Sequence, residues 1–165
     1  MLHFAPEKRL SRFIAATEPS RHVRADLFPD SPDVQRVDML AMPFDDETFD
    51  CVIANHVLEH VGNVERALGE IHRVLRPDGH AILQTPYSSK LHRTWEDEGI
   101  DTPAARLQAY GQEDHVRLFG LDIFERIARS GFEPIVQKHE SLLEDVDPDR
   151  AGINPTEPFF LFQRR

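Results

Sequence analysis

The stretch Phe49-Asp50-Cys51-Val52-Ile53-Ala54 is an apolar run of strand length between Thr48 and Asn55, and together with the residues after it, it decides the fold. Val64, Leu68, Ile71 and Leu75 recur at steps of four, three and four, which places them on one face of a helix starting near Asn63. Pro77-Asp78-Gly79 stops that helix, and residues 80–85 supply a second strand broken at Pro86. Strand, helix, tight turn and strand in that order make the unit of a parallel sheet covered by helices. Phe49–Ala54 is its expected central strand.

Working outward, residues 1–5 read as a strand ending at Pro6, and Leu10, Phe13 and Ile14 then recur at helical spacing through Ala16. A second strand over 22–25 ends at Asp26. The Pro29-Asp30-Ser31-Pro32 cluster leaves little room for a helix before a third strand over 34–37, which ends at Asp38. Downstream, the pattern dissolves over 87–120 into polar, charged and aromatic residues with one weak helical stretch at 104–109, a connection expected to act as a lid or acceptor-binding segment. Leu121, Phe124, Ile127 and Ala128 form a helix capped by Gly131, and a strand covers 132–137. An acidic loop over 144–158 precedes a closing strand, Phe159 to Phe162, whose hairpin-like approach makes it antiparallel.

A chain of 165 residues with 40% hydrophobic and 29% charged residues is one soluble globular domain. Nineteen Lys and Arg against 29 Asp and Glu leave a net charge of −10, which disfavours nucleic acid as a partner, and the Lys8-Arg9-Arg12 cluster is too short to reverse that. The lone Cys51 forms no internal disulfide and fits a reducing compartment. No apolar stretch approaches the ~20 residues of a membrane span, and the N-terminal residues lack the pattern of a secretion signal, so a cytoplasmic protein without membrane partners is expected.

In a doubly wound sheet the ligand lies beyond the carboxyl ends of the strands. The residues at those ends are Pro6, Glu7, Asp26, Asp38, Asn55, His56, Thr85 and Pro86. Asp26 and Asp38 suit hydrogen bonds from ribose hydroxyls and an adenine amine, although each also reads as a turn cap.

The segments Asp38-Met39-Leu40-Ala41-Met42-Pro43-Phe44, Asp45-Asp46-Glu47-Thr48-Phe49-Asp50, Asn55-His56-Val57-Leu58-Glu59-His60 and Arg73-Val74-Leu75-Arg76-Pro77-Asp78-Gly79 together resemble the class I S-adenosylmethionine-dependent methyltransferases, in their small-molecule branch. The resemblance is strong over 26–86 and weaker through Asp114-His115-Val116-Arg117, Ser130-Gly131-Phe132 and the last strand. It implies a Rossmann-like, mostly parallel seven-stranded sheet with an antiparallel last strand, and S-adenosylmethionine as methyl donor. Asp26 would meet the cofactor ribose, Asp38 and the Met39 backbone the adenine, and Asn55-His56 the methionine part. Phe4, Ala5, Pro6, Glu7 and Leu27 complete the implied cofactor site, with Ala5 and Pro6 as its floor and Glu7 at the amine or ribose. His115 is the implied base and Arg117 the anchor for an anionic acceptor group. A small-molecule acceptor methylated at O, N or C is expected.

The chain departs from the family at two places. His3 stands where the family has an acidic residue, and Met1-Leu2-His3-Phe4-Ala5-Pro6-Glu7 contains no glycine, although the Leu-His-Phe-Ala-Pro-Glu form resembles a variant first motif of one branch. The family's N-terminal covering helices are not expected before this strand, as in a short natural form, a fragment or a protein that no longer binds the cofactor well. If the first strand is an unprotected edge of the site, the cofactor cleft is open and a homodimer is a way to close it. These departures also raise an alternative, a binding module on the same fold. His56-x-x-Glu59-His60 fits an inverted zinc-hydrolase pattern, with the histidines as ligands and Glu59 as base, but it comes after a strand rather than inside a helix, and no metal is expected. Tyr87, His92, Trp95, Tyr110, His115 and Phe119 are candidates to line an acceptor pocket.

Overall fold

A computed structural model of the chain describes residues 1–135, 137–138, 147, 150, 154 and 157–165. In chain order the elements are β1 (Leu2–Phe4), α1 (Lys8–Ala16), β2 (Val23–Asp26), β3 (Gln35–Arg36), β4 (Phe49–Ala54), α2 (Val64–Val74), β5 (Leu75–Ile82), α3 (Pro103–Tyr110), α4 (Ile123–Arg129), β6 (Phe132–Pro134), β7 (Gln137–Lys138), β8 (Pro158–Phe159) and β9 (Leu161–Arg164). Seven strands form one sheet in the order β3-β2-β1-β4-β5-β9-β6, and β7 pairs with β8 in a separate ribbon. β4 is the middle strand, as the sequence reading expects. Strands β1 to β5 pair in parallel, whereas β9 runs antiparallel to both β5 and β6. This is the Rossmann-like arrangement that the resemblance implies.

The path from β1 to β2 steps towards one edge of the sheet and that from β4 to β5 towards the other. Right-handed crossovers therefore set α1 and α2 on opposite faces. Asn63 caps α2 by accepting the Arg66 N–H at 2.9 Å, and Val64, Ala67, Leu68, Ile71 and Val74 turn inward from it. These side chains pack with Leu2, Phe4, Val52, Ala54, Leu83, Phe132, Phe160 and Phe162 in one continuous core.

Several local features differ from expectation. β5 begins at Leu75, not His80, because Leu75 leaves the helix in an extended conformation and pairs with Phe49. The Pro77-Asp78-Gly79 turn is then a bulge inside the strand, with Asp78 at φ +62°. α1 buries Ser11 and Ile14, while Phe13, expected on its inner face, is 70% exposed. The strand expected over 132–137 divides, since Pro134 ends the β6 pairing and Gln137 joins β8. β1 lies inside the sheet, between β2 and β4. Most of the acidic loop over 144–158 lies outside the described residues. Among the described residues no helix is long and apolar enough to cross a membrane.

Candidate functional site

β1 and β4 are neighbours from which the chain departs in opposite directions, and a crevice opens at their carboxyl ends by construction. It is a cleft of about 580 Å³ lined by Phe4, Ala5, Asp26, Leu27, Phe28, Val37, Asp38, Met39, Leu40, His56, Val57, His60, Val61, Gly62 and Asp114. Of the residues expected to hold a cofactor, Phe4, Ala5, Asp26, Leu27, Asp38, Met39 and His56 line it together. Pro6 instead lines an adjoining hollow of about 740 Å³ beside α1. Glu7 and Asn55 lie outside the lining and bond to each other at the rim. Sequence reasoning missed Phe28, Leu40, Val57 and Val61, apolar walls whose only signal was their position just beyond the residues that end β2, β3 and β4.

Two residues at this crevice hold left-handed backbone without being glycine. Ala5 has φ +44° and donates its N–H to the Ala25 carbonyl at 2.9 Å, while His56 has φ +53° and donates to the Gln84 carbonyl at 2.7 Å. The turn after β1 therefore forms with alanine where the family resemblance leads one to expect glycine, at a cost of about 1–2 kcal/mol.

Asp26 and Asp38 each use Oδ1 to accept the N–H two residues on, from Phe28 and Leu40, both at 2.8 Å. The turn-cap role is thus real, and it leaves the second oxygen of each carboxylate for a ligand. Glu7 meets His3 Nε2 at 2.7 Å and accepts the Asn55 amide at 3.1 Å. Burial pushes the Glu7 carboxyl up, but the hydrogen bonds from Asn55 and His3 outweigh it and hold the group below the usual carboxylate range. The buried Asn55 Oδ1 has no hydrogen-bond partner among the described residues, so it is an acceptor waiting for a donor such as an ammonium group.

His115 is buried, with its ring edge-on to His60 at a centroid distance of 4.8 Å. Burial, reinforced by His60, lowers its pKa and favours the neutral imidazole. Arg117 corrects the expectation made for it. It is 4% exposed, its Nη1 donates to the Leu58 and Val61 carbonyls at 3.0 and 2.5 Å, and its Nε donates to Glu96 at 2.8 Å. Its donors are spent holding the turn after β4, so it is a positioning residue and not an anchor for an anionic acceptor.

The inverted zinc-hydrolase geometry is absent. Residues 55–60 form turns, the left-handed His56 prevents a helix, and His56 is 64% exposed with Nδ1 at 3.6 Å from Glu59. Burial raises the Glu59 carboxyl above the usual range, against opposing contributions from its backbone hydrogen bond and from His60 and His56.

The segment 87–120 is packed rather than draped. Phe119 is in the core, Trp95 and Tyr110 meet edge-on at 5.7 Å, Tyr87 packs against Phe124 and Phe160, and His92 lines a different hollow with Arg126. None of these aromatic rings lines the cleft; this segment contributes Asp114 to it.

The motif Arg73-Val74-Leu75-Arg76 proves mechanical. Arg73 donates to the Phe44 carbonyl at 2.7 Å, to Asp46 at 2.8 Å and to Glu70 at 2.7 Å, and Glu70 in turn accepts the Met42 N–H at 2.7 Å. Arg76 reaches Asp50 at 2.6 Å. These bonds fix the approach to β4, and hence the cleft wall from Asp38 to Leu40.

A switch-point cleft with carboxylates after β2 and β3, on a sheet whose last strand is antiparallel, defines the class I methyltransferase fold. Residues 7–83 match a family model described as a methyltransferase domain. The chain is 38% identical over 64 residues to the ubiquinone/menaquinone biosynthesis C-methyltransferase of Blochmanniella pennsylvanica, covering 37% of this chain and 25% of that protein. Its fold is similar to an S-adenosylmethionine-dependent methyltransferase from Mesorhizobium loti, with TM-score 0.62 and 19% identity over 99% of this chain and 89% of that one. It is also similar to the 1,6-didemethyltoxoflavin-N1-methyltransferase of Burkholderia thailandensis, solved with bound 1,6-didemethyltoxoflavin and S-adenosylhomocysteine, with TM-score 0.62 and 18% identity over 99% and 70% of the chains. The chain thus has the fold of the class I S-adenosylmethionine-dependent methyltransferases and resembles a methyltransferase domain over residues 7–83. It spans about a quarter of the length of the first curated relatives it matches.

Proposed function

We propose that the protein transfers a methyl group from S-adenosylmethionine to a small-molecule acceptor at oxygen, nitrogen or carbon. The observation that carries this reading is the convergence of Asp26, Asp38 and the apolar walls Leu27, Met39 and Val57 on one cleft at the switch point. The residues present fit the cofactor. The free oxygens of Asp26 and Asp38 suit ribose hydroxyls and an adenine amine, and the unpartnered Asn55 Oδ1 suits the methionyl ammonium. When bound, the sulfonium supplies an activated methyl group for in-line displacement. The chain's part is to hold that group in line with the acceptor and to exclude water from the apolar cleft. His60, Asp114 and the adjacent His115 mark the acceptor end, where burial favours a neutral His115 imidazole. A net charge of −10 supports a small molecule rather than a nucleic acid as acceptor, and we place the reaction in the cytoplasm.

Thermal unfolding with and without S-adenosylmethionine and S-adenosylhomocysteine tests the reading. Ligand at 100 times its Kd stabilises the native state by about 2.7 kcal/mol. A saturable rise in Tm that Asp26→Ala or Asp38→Ala abolishes is the expected result, and methyl transfer to members of an acceptor panel is the second. No shift with either ligand at millimolar concentration would overturn it.

A further inference from the structure

Glu59 and His60 lie in the turn that leaves β4, and His115 arrives from the distant segment between α3 and α4. The Val116 N–H donates to the Glu59 carbonyl at 3.0 Å, and Arg117 grips the carbonyls on either side, so the two segments are fixed against each other. One ligating atom from each of Glu59, His60 and His115 lies within 4.8 Å of the other two. Glu59 is 1% exposed, yet its Oε2 has no hydrogen-bond partner among the described residues, and Oε1 is 3.6 Å from His56 Nδ1, beyond hydrogen-bond reach. A carboxylate oxygen buried this way is costly unless a cation or donor completes it. His60 Nδ1 in turn faces the Asp114 carbonyl at 3.3 Å and its carboxylate at 3.4 Å, the kind of outer partner that orients ligating imidazoles.

The geometry points to a binding site for one divalent transition-metal ion, held by Glu59, His60 and His115 at the acceptor end of the cleft. Two imidazoles and one carboxylate favour zinc, iron, cobalt or manganese over the oxygen-seeking calcium and magnesium. Ligand atoms about 2.1 Å from an ion sit about 3–3.5 Å apart, so the cluster closes onto it by small side-chain rotations. The site differs from the sequence's zinc-hydrolase pattern, since Glu59 is a ligand rather than a base and His115 replaces His56. His60 and its partner Asp114 line the cleft while Glu59 and His115 are buried behind them, so the site borders the cleft. In a step that rests on the methyl-transfer reading, an acceptor hydroxyl on the ion would be more acidic and would give its proton to bulk water, leaving an alkoxide to take the methyl group without a separate imidazole base.

The test is titration of the chelator-treated, tag-free protein with Co²⁺, read by its visible d–d absorption, with competition by Zn²⁺. The titration contains no S-adenosylmethionine, so the result is independent of methyl transfer. One equivalent of Co²⁺ is expected to bind saturably at micromolar concentration, with Glu59→Gln, His60→Asn and His115→Gln each weakening binding by about tenfold or more. Far-UV circular dichroism identifies folded variants, and the isosteric Glu59→Gln decides the matter if a histidine variant does not fold. No saturable spectrum up to millimolar Co²⁺, or wild-type affinity in folded Glu59→Gln, would overturn the site. A cofactor-induced rise in Tm without metal binding would leave the proposed function intact and remove this inference alone.

Discussion

The Asn55 amide donates to Glu7 Oε1 at 3.1 Å, joining the carboxyl end of β4 to that of β1 across the mouth of the crevice. Removing that donor in Asn55→Ala is expected to cost about 1 kcal/mol of stability. The Glu7 carboxyl has a pKa below its ordinary value in the folded state, so its contribution is complete above the unfolded pKa and is lost as pH falls through the folded one. Loss of the Asn55 hydrogen bond raises the folded pKa, and the acid decline therefore starts at higher pH in the variant. Carbon-detected NMR titration of Glu7 in both proteins checks the direction; an unchanged pKa would contradict the assignment.

Ala5 holds φ +44° at the first turn, where a glycine has no Cβ to oppose the conformation. Ala5→Gly is expected to raise stability by about 0.5–1 kcal/mol, the reverse of the usual sign for alanine to glycine. Urea denaturation measures it, and a destabilised variant would show that the turn is not strained.

Glu70 receives hydrogen bonds from Arg73 and from the Met42 backbone, and its carboxyl pKa is lowered, chiefly by Arg73. A depressed folded pKa stabilises above the ordinary carboxylate value and loses its effect as pH falls through the folded one. Glu70→Gln is thus expected to lose about 1 kcal/mol at neutral pH, with the gap to wild type narrowing in acid. Chemical denaturation across pH 3–8 (roughly the span over which carboxylates titrate) reads that convergence, and a pH-independent gap would count against the ion pair.

Arg117 spends its guanidinium on the Leu58 and Val61 carbonyls and on Glu96. Lysine keeps the charge but not the fork of donors, so Arg117→Lys is expected to destabilise the fold by about 2–3 kcal/mol. Calorimetry measures that loss. In the same variant, acceptors with and without an anionic group should be affected alike, whereas a selective rise in KM for anionic acceptors would restore the anchoring role.

The elements that the sequence displays most clearly are those with a buried face and a short-range stop signal. β4 is legible because Val52, Ile53 and Ala54 are buried on both faces, and α2 because its apolar stripe runs from the Asn63 cap to the turn at Pro77. The start of β5 is hidden because Leu75 satisfies the helix stripe and the strand pairing at once. Asp26 and Asp38 are readable from their place after strands, since topology carries those positions to the crevice. Arg117 is misread because a guanidinium that grips carbonyls and one that grips a substrate anion have the same letter and the same spacing. The meeting of His115 with Glu59 and His60 depends on how a long connection folds, and no periodicity encodes that.

β9 occupies the gap between β5 and β6, pairing His80 with Gln163 on one side and Phe132 with Arg164 on the other. A ribosome delivers both neighbours of that gap long before it delivers the strand that fills it. The nascent protein can assemble β1 to β5 while β6 still has no partner in the sheet, and Phe160 and Phe162 are missing from the core until synthesis reaches them. The half of the sheet that bears Asp26 and Asp38 is thus made first, and the closing hydrophobic seal arrives last. A stalled or clipped polypeptide lacking residues 159–165 would carry the ligand-facing strands together with two open sheet edges, making it a substrate for chaperones and proteases.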